Sequence, residues 1–325
     1  MGYAASDKIL PAEYNAFLTN TSNSGDIAAY GINHIMGTGL LNLGLGQTAL
    51  HTVNTAEKIT VAQWNSLWTA MNNIQNHTNI TELTSTASRD VGDVIAVKAA
   101  LRTDLNALAT AVQGGSTSAT AITTSASVRS VTTAAEGWDS TATHELSITW
   151  SSANAMRFYF NQGGKVRIVQ SATASSLSAK DNSFVDLGTG IGNLDIGSQS
   201  TTRSGSAETL STDGLAIGFY DMTTSYQTII KLTSDNATYT SNYVEIFAKL
   251  DASPGTAVTM TIKMVATDGA SDAQYTAGNT ASVASSIKDT PQMVTTLYML
   301  RPNTTEGLAT VYNEASTAEV SNTTT

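Results

Sequence analysis

The chain contains no cysteine in 325 residues. Disulfides and thiolate-ligated metals are thereby excluded. Histidine is almost as scarce, with four residues (His34, His51, His77 and His144), and no two stand at an HxH or HxxxH spacing. A metal centre built on imidazole is not expected, and each histidine is expected at the surface or at an interface. Proline occurs four times, at Pro11, Pro254, Pro291 and Pro302. All four fall outside the strands read below, as ladder hydrogen bonding requires. Charged residues make up 13% and aromatic residues 6%. The net charge is −10, with sixteen Lys and Arg scattered and never in a run. Nucleic-acid binding wants a basic face and is not expected. No run approaches the roughly 18 apolar residues of a spanning helix, so no membrane span is expected. The start, MGYAASDKILPAEY, lacks a basic region followed by an apolar run. No Sec signal is read there, and synthesis in a cytoplasm is expected.

Ser, Thr, Ala, Asn and Gly fill the space left by these absences. They make a neutral-polar surface suited to β-structure and to close contact between copies. A passage is also written twice. Residues 8–19 read KILPAEYNAFLT and residues 58–69 read KITVAQWNSLWT, fifty positions apart. Lys8 falls on Lys58, Ile9 on Ile59, Tyr14 on Trp64, Asn15 on Asn65 and Thr19 on Thr69. Two copies of a helix-opening unit suggest a module for assembly.

The first third reads helical. Pro11 suits a helix first turn, and a weaker helix spans residues 25–36. Thr60 with Gln63 forms a capping box. Trp64, Leu67, Trp68, Met71 and Ile74 then mark one face. A fourth helix is read over 91–112, with Val94, Val97, Leu101, Leu105, Leu108 and Val112 near heptad spacing. That stripe asks for partners and points to a trimer.

Residues 113–135 lose the 3.6 period and read as a Ser/Thr/Gly-rich linker. From Trp138 the period is two. Strands are expected at 145–150, 156–160, 165–170, 183–188, 216–221, 226–233, 241–250, 257–267 and 294–301, with Asn161-Gln162-Gly163-Gly164 as a hairpin turn. The expected fold is α+β and multidomain. A helical module for attachment and assembly (1–112) and the linker (113–135) precede an antiparallel, jelly-roll-like β-sandwich (136–312). A polar tail (313–325) is expected to fray.

Candidate chemistry is thin. Asp181 with Asp186, or Asp268 with Asp272, are the carboxylate pairs to weigh for glycan cleavage. Asp in such Gly/Ser-rich stretches caps turns more often than it catalyses. ATDGASD at 266–272 is a weak calcium candidate without EF-hand spacing. Gly205-Ser206 lacks a nucleophile-elbow context. Gly188, Gly190 and Gly192 lack a nucleotide fingerprint's downstream acid. No catalytic residue, metal ligand or cofactor is expected. Tyr14, Trp64, Trp68, Leu101, Leu105 and Leu108 are the core or interface candidates.

FYFNQGGKVRI at 158–168 resembles a recurrent passage of virion structural proteins of tailed, myovirus-type bacteriophages. GFYDMTTSYQTIIKLTSD at 218–235 and YTSNYVEIFAKLD at 239–251 are similar to later passages of the same kind of protein. The N-terminal EYN, MGTG, GLGQ and ITVAQWNSL elements are similar to its upstream repeats. The resemblance implies a non-enzymatic component of a tail, baseplate, neck or fibre, located in the virion. Its partners would be copies of itself and other virion proteins. The alternative is an adhesin for a host-surface receptor or glycan, with Tyr220, Tyr226 or Tyr243 in a shallow patch.

Overall fold

The structure is a computed structural model. It describes residues 10–19, 30–39, 42–80, 83–84, 98–115, 122–133, 138, 140–173, 179–236, 238–270, 292–302, 307–312 and 315–325. The architecture is α+β, with a helical N-terminal module and an antiparallel sandwich of two sheets. Among the described residues no helix is long and apolar enough to cross a membrane. The chain divides into two units. A helical unit comprises Met1–Thr123, Arg157–Gly163 and Pro302–Tyr312, and a sandwich unit comprises Thr124–Met156, Gly164–Arg301 and Asn313–Thr325.

In the helical unit, α1 (Pro11–Thr19), α2 (Ile32–Met36), α3 (Val61–Thr78) and α4 (Lys98–Gln113) share one core. The capping box of α3 is present: the Gln63 N–H donates to the Thr60 side chain, and the Thr60 N–H donates to Gln63 Oε1. Asn79 ends the helix in the left-handed region, at φ 51°. That conformation suits asparagine, whose short polar side chain tolerates it.

The written repeat is also a repeat of local bonding. The Leu10 N–H donates to Glu13 as the Thr60 N–H does to Gln63. Thr19 and Thr69 each donate to the carbonyl four residues back, on Asn15 and Asn65, at 2.9 Å. The two copies meet inside the chain at equivalent aromatics. The Tyr14 and Trp64 rings lie 6.2 Å apart, and the Tyr14 hydroxyl donates to the Gln63 carbonyl at 3.0 Å. Duplication here supplies each copy with an intrachain partner.

Leu101, Leu105 and Leu108 of α4 face this same core. The described part of the heptad stripe is therefore covered within the chain, and the trimer argued from it loses that basis. Val94 and Val97 lie outside the described residues.

The extended stretch 45–53 is held by amide side chains. Asn15 accepts from the Val53 N–H (2.9 Å) and donates to its carbonyl (2.7 Å). Asn33 does the same to Leu50, both at 2.7 Å. Gln47 brackets the backbone of Ala309, which explains why residues 302–312 join the helical unit. Each amide imitates a neighbouring strand and satisfies a donor and an acceptor at once.

In the sandwich unit, one sheet has the order β1 (Ile122–Thr132), β10 (Gln292–Pro302), β3 (Lys165–Thr173), β4 (Asn193–Ile196) and β5 (Thr201–Arg203). The other has the order β11 (Ser316–Thr324), β2 (Thr141–Thr149), β9 (Thr259–Thr267), β8 (Tyr243–Leu250), β7 (Gln227–Thr233) and β6 (Thr209–Asp213). Strict alternation on β2, β8 and β9 turns Leu146, Ile246 and Ile262 inward and their neighbours outward, as period-two patterning dictates.

Several expectations are corrected. Residues 156–160 belong to the helix α5 (Ala153–Asn161), so Asn161–Gly164 is not a hairpin turn. Ser152 accepts from the Ala155 N–H and caps the helix start. Met156, Tyr159 and Phe160 are buried at helical spacing. The apparent alternation of Met156, Phe158 and Phe160 misled. Residues 183–188 lie in α6 (Ala179–Ile191), which packs on β3 of one sheet and on β7 and β8 of the other. Gly188 lets α6 approach closely, since a Cβ there would sit 3.1 Å from the Gln170 carbonyl oxygen. Residues 216–221 hold a short 3-10 turn, Phe219–Asp221, rather than a strand. Within the expected linker lies β1, and within the expected frayed tail lies β11, paired antiparallel with β2. Both are Ser/Thr-rich strands at the edge of a sheet, each laid against one neighbouring strand.

Candidate functional site

The outward face of the six-stranded sheet gathers the most varied chemistry among the described residues. Tyr243, Glu245, Phe247 and Lys249 alternate outward along β8. Lys263 on β9 and Lys231 on β7 flank them, and Tyr226 stands just before β7. Lys249 Nζ and Lys263 Nζ lie 4.3 and 4.1 Å from the centre of the Tyr226 ring. Lys263 Nζ also lies 4.7 Å from the Phe247 ring, and Lys231 Nζ lies 3.6 Å from Tyr243. These are cation–π distances. The Tyr226 hydroxyl donates to Glu145 on β2. Burial first, then that carboxylate, raise the Tyr226 pKa above the usual phenol value.

The face can therefore present ammonium groups and ring edges to an anionic or hydroxyl-rich surface. The tyrosines named from sequence are divided by the fold. Tyr226 and Tyr243 share this face, whereas Tyr220 sits in the 3-10 turn with its ring 4.9 Å from Phe219. The three lysines that complete the face escaped sequence reading. Only strand register puts Lys249 and Lys263 on one side, with Ala248 opposite Ile262 and Phe247 opposite Lys263.

An open groove of about 400 Å³ runs along α3 in the helical unit. It is lined by Asn65, Ser66, Thr69 and Asn73 on one side and by Leu50 and Leu308 on another. Asn73 donates to the Gly307 carbonyl across it at 3.3 Å. The lining is neutral, with amides and hydroxyls that hold backbone rather than activate a nucleophile.

The carboxylate pairs do not converge. Asp181 and Asp186 share α6, but Asp181 is buried while Asp186 is exposed. Asp268 is committed to Lys180 in a buried ion pair. Asp272, and with it the end of the 266–272 calcium candidate, lies outside the described residues. Among the described residues no group of three or more His, Asp or Glu could hold a metal. Gly190 and Gly192 end α6 beside Gly205, whose N–H donates to the Ile191 carbonyl. A Cβ at Gly205 would collide with Gly190 backbone, so these glycines serve helix-to-loop packing.

The histidines depart from expectation. His51 is exposed and His34 half-buried, but His77 and His144 are fully buried. In the sandwich core, His144 Nδ1 lies 2.8 Å from Thr295 Oγ1, which donates to Gln170 Oε1 at 2.7 Å. Because the threonine proton goes to Gln170, His144 must donate through Nδ1. Its Nε2 is buried without a hydrogen-bond partner. Burial lowers the pKa of His144 to about 4. Burial likewise lowers His77 to about 4, opposed in part by Gln162 backbone. Both are neutral core residues.

Tyr14, Trp64, Trp68, Leu101, Leu105 and Leu108 all lie in the core of the helical unit. Burial raises the Tyr14 pKa to about 12. No family model, curated protein or solved structure matches the chain.

Proposed function

We propose that the chain is a non-enzymatic structural subunit of a tailed-phage particle, a tail, baseplate, neck or fibre component acting by symmetric protein–protein assembly. The observation that carries this reading is the ordered resemblance of 158–168, 218–235 and 239–251 to virion structural proteins. Strands β7 and β8 lie wholly within the two later passages, and the first passage spans the end of α5 and the start of β3.

The outermost strands of the six-stranded sheet lend support of another kind. β6 and β11 are exposed along most of their length, and Val320 on β11 is 53% exposed. They carry Ser and Thr where guarded edges carry Lys or Pro. Such edges suit lateral contact between repeated subunits. The helical unit would attach to the particle and the sandwich would pack against neighbours. Its partners are copies of itself and other virion proteins, and its location is the virion. Light scattering on the purified chain at tens of micromolar is expected to give a multiple of 33.9 kDa. A monomer throughout would remove the self-assembly.

The outward Tyr226, Tyr243 and Phe247 face favours a second reading, an adhesin for host-surface glycan. Ammonium groups stand over both tyrosines, so an acidic saccharide fits better than a neutral one. Glycan-array binding that vanishes in Tyr226→Ala would favour it.

A further inference from the structure

Lys180 and Asp268 face each other in a dry part of the sandwich unit. Lys180 Nζ lies 2.5 Å from Asp268 Oδ2, with the side chains 2% and 5% exposed. Lys180 stands in the first turn of α6, and Asp268 directly follows β9. The surroundings fix both ends. The Asp268 N–H donates to the Ser140 carbonyl at 2.9 Å, and the Ala270 N–H donates to Asp268 Oδ1 at 3.1 Å. Fully buried Asn242 accepts from the Gly269 N–H and donates to Ser183 Oγ, each at 3.1 Å. Ser183 Oγ in turn donates to the Lys180 carbonyl at 2.6 Å.

An ion pair taken this far from water recovers little of its desolvation cost by staying ionic. The same burial favours the neutral amine and the neutral acid. It also holds a nucleophilic nitrogen against a carboxyl group with water excluded, which is the geometry that makes an intramolecular reaction fast.

We propose that Lys180 and Asp268 condense to an intramolecular isopeptide bond. One proton passes from Nζ to Oδ2, leaving an amine and a carboxylic acid. The Nζ lone pair attacks Cγ, and the negative charge collects on Oδ1, which the Ala270 N–H already holds. A second Nζ proton passes to Oδ2, the Cγ–Oδ2 bond breaks, and Oδ2 departs as water. Nζ keeps one hydrogen as the amide N–H. Nothing is oxidised or reduced, and no co-reactant is needed. A neutral amide replaces two buried charges, and Oδ1 keeps its donor. The bond ties α6 to the end of β9 in a chain with no cysteine to make a disulfide, and it is indifferent to redox conditions.

Intact-mass measurement of the purified full-length chain is expected to read about 18 Da, one water, below the sequence mass. A proteolytic digest is expected to yield one branched species joining the peptide of Lys180 to that of Asp268. Asp268→Ala and Lys180→Arg are each expected to restore the full mass. The wild-type reading needs neither variant, so a variant that fails to fold does not blunt the test. A full mass, with Lys180 and Asp268 in separate unmodified peptides, overturns the proposal. A lost water confined to the single peptide holding Asp268-Gly269, the mark of a succinimide, overturns it equally.

Discussion

Replacing Trp64 with alanine is expected to destabilise the helical unit by about 3–5 kcal/mol, the range for deleting a large aromatic from a core that cannot collapse. Trp64 is 4% exposed. It packs beside Tyr14, and the backbone just before it accepts the Tyr14 hydroxyl. The void would be walled by α1, whose Asn15 is tied at both ends to Val53. α1 cannot move in without breaking these partly buried hydrogen bonds. Chemical denaturation followed by tryptophan-independent circular dichroism at helical wavelengths is the measurement. A loss under about 1 kcal/mol, the scale of a surface substitution, would show that Trp64 is not a core residue.

Acid is the second large effect. His77 and His144 are held neutral, because burial lowers their pKa from the ordinary 6.5 to about 4. Between those limits the unfolded chain binds protons that the folded chain refuses, so stability rises with pH there and is level above it. Falling pH therefore removes stability progressively below about 6.5 and completes the loss near 4. Each histidine contributes roughly 3 kcal/mol to that loss, at 1.36 kcal/mol per pKa unit. Because His77 lies in the helical unit and His144 in the sandwich, both units weaken. Urea midpoints at pH 7.0 and 4.5 are the readout. His77→Leu and His144→Leu are expected to flatten the slope of the unit each occupies. An unchanged wild-type midpoint across that interval would mean that these imidazoles reach water.

Much of the fold is written locally. α3 announces itself because its cap, its apolar face and its left-handed Asn79 agree. β2, β8, β9 and β10 announce themselves by alternation. What escaped reading is structure imposed by partners. α6 contains Gly188 and Gly190, which local propensity counts against a helix, yet the helix runs close to β3 at Gly188 and to the Ala207 backbone at Gly190. β11 has no buried apolar stripe, because an edge strand needs only a ladder beside it. The membership of 302–312 in the helical unit rests on Gln47 bracketing Ala309, a pairing across most of the chain that no periodicity encodes.

The candidate face was half legible. Tyr226 and Tyr243 were visible as aromatics near strands. Lys231, Lys249 and Lys263 became part of the face only through register. The buried fates of His77, His144 and the Lys180–Asp268 pair were invisible, since polar residues give no local sign of being enclosed.

Locating the chain in an averaged image of gradient-purified particles bears most directly on the structural role. Density for both units is expected at symmetry-repeated positions in the tail, baseplate, neck or fibre, with β6 or β11 against a neighbouring subunit. Recovery of the chain only in the soluble fraction, with particles complete without it, would contradict that role.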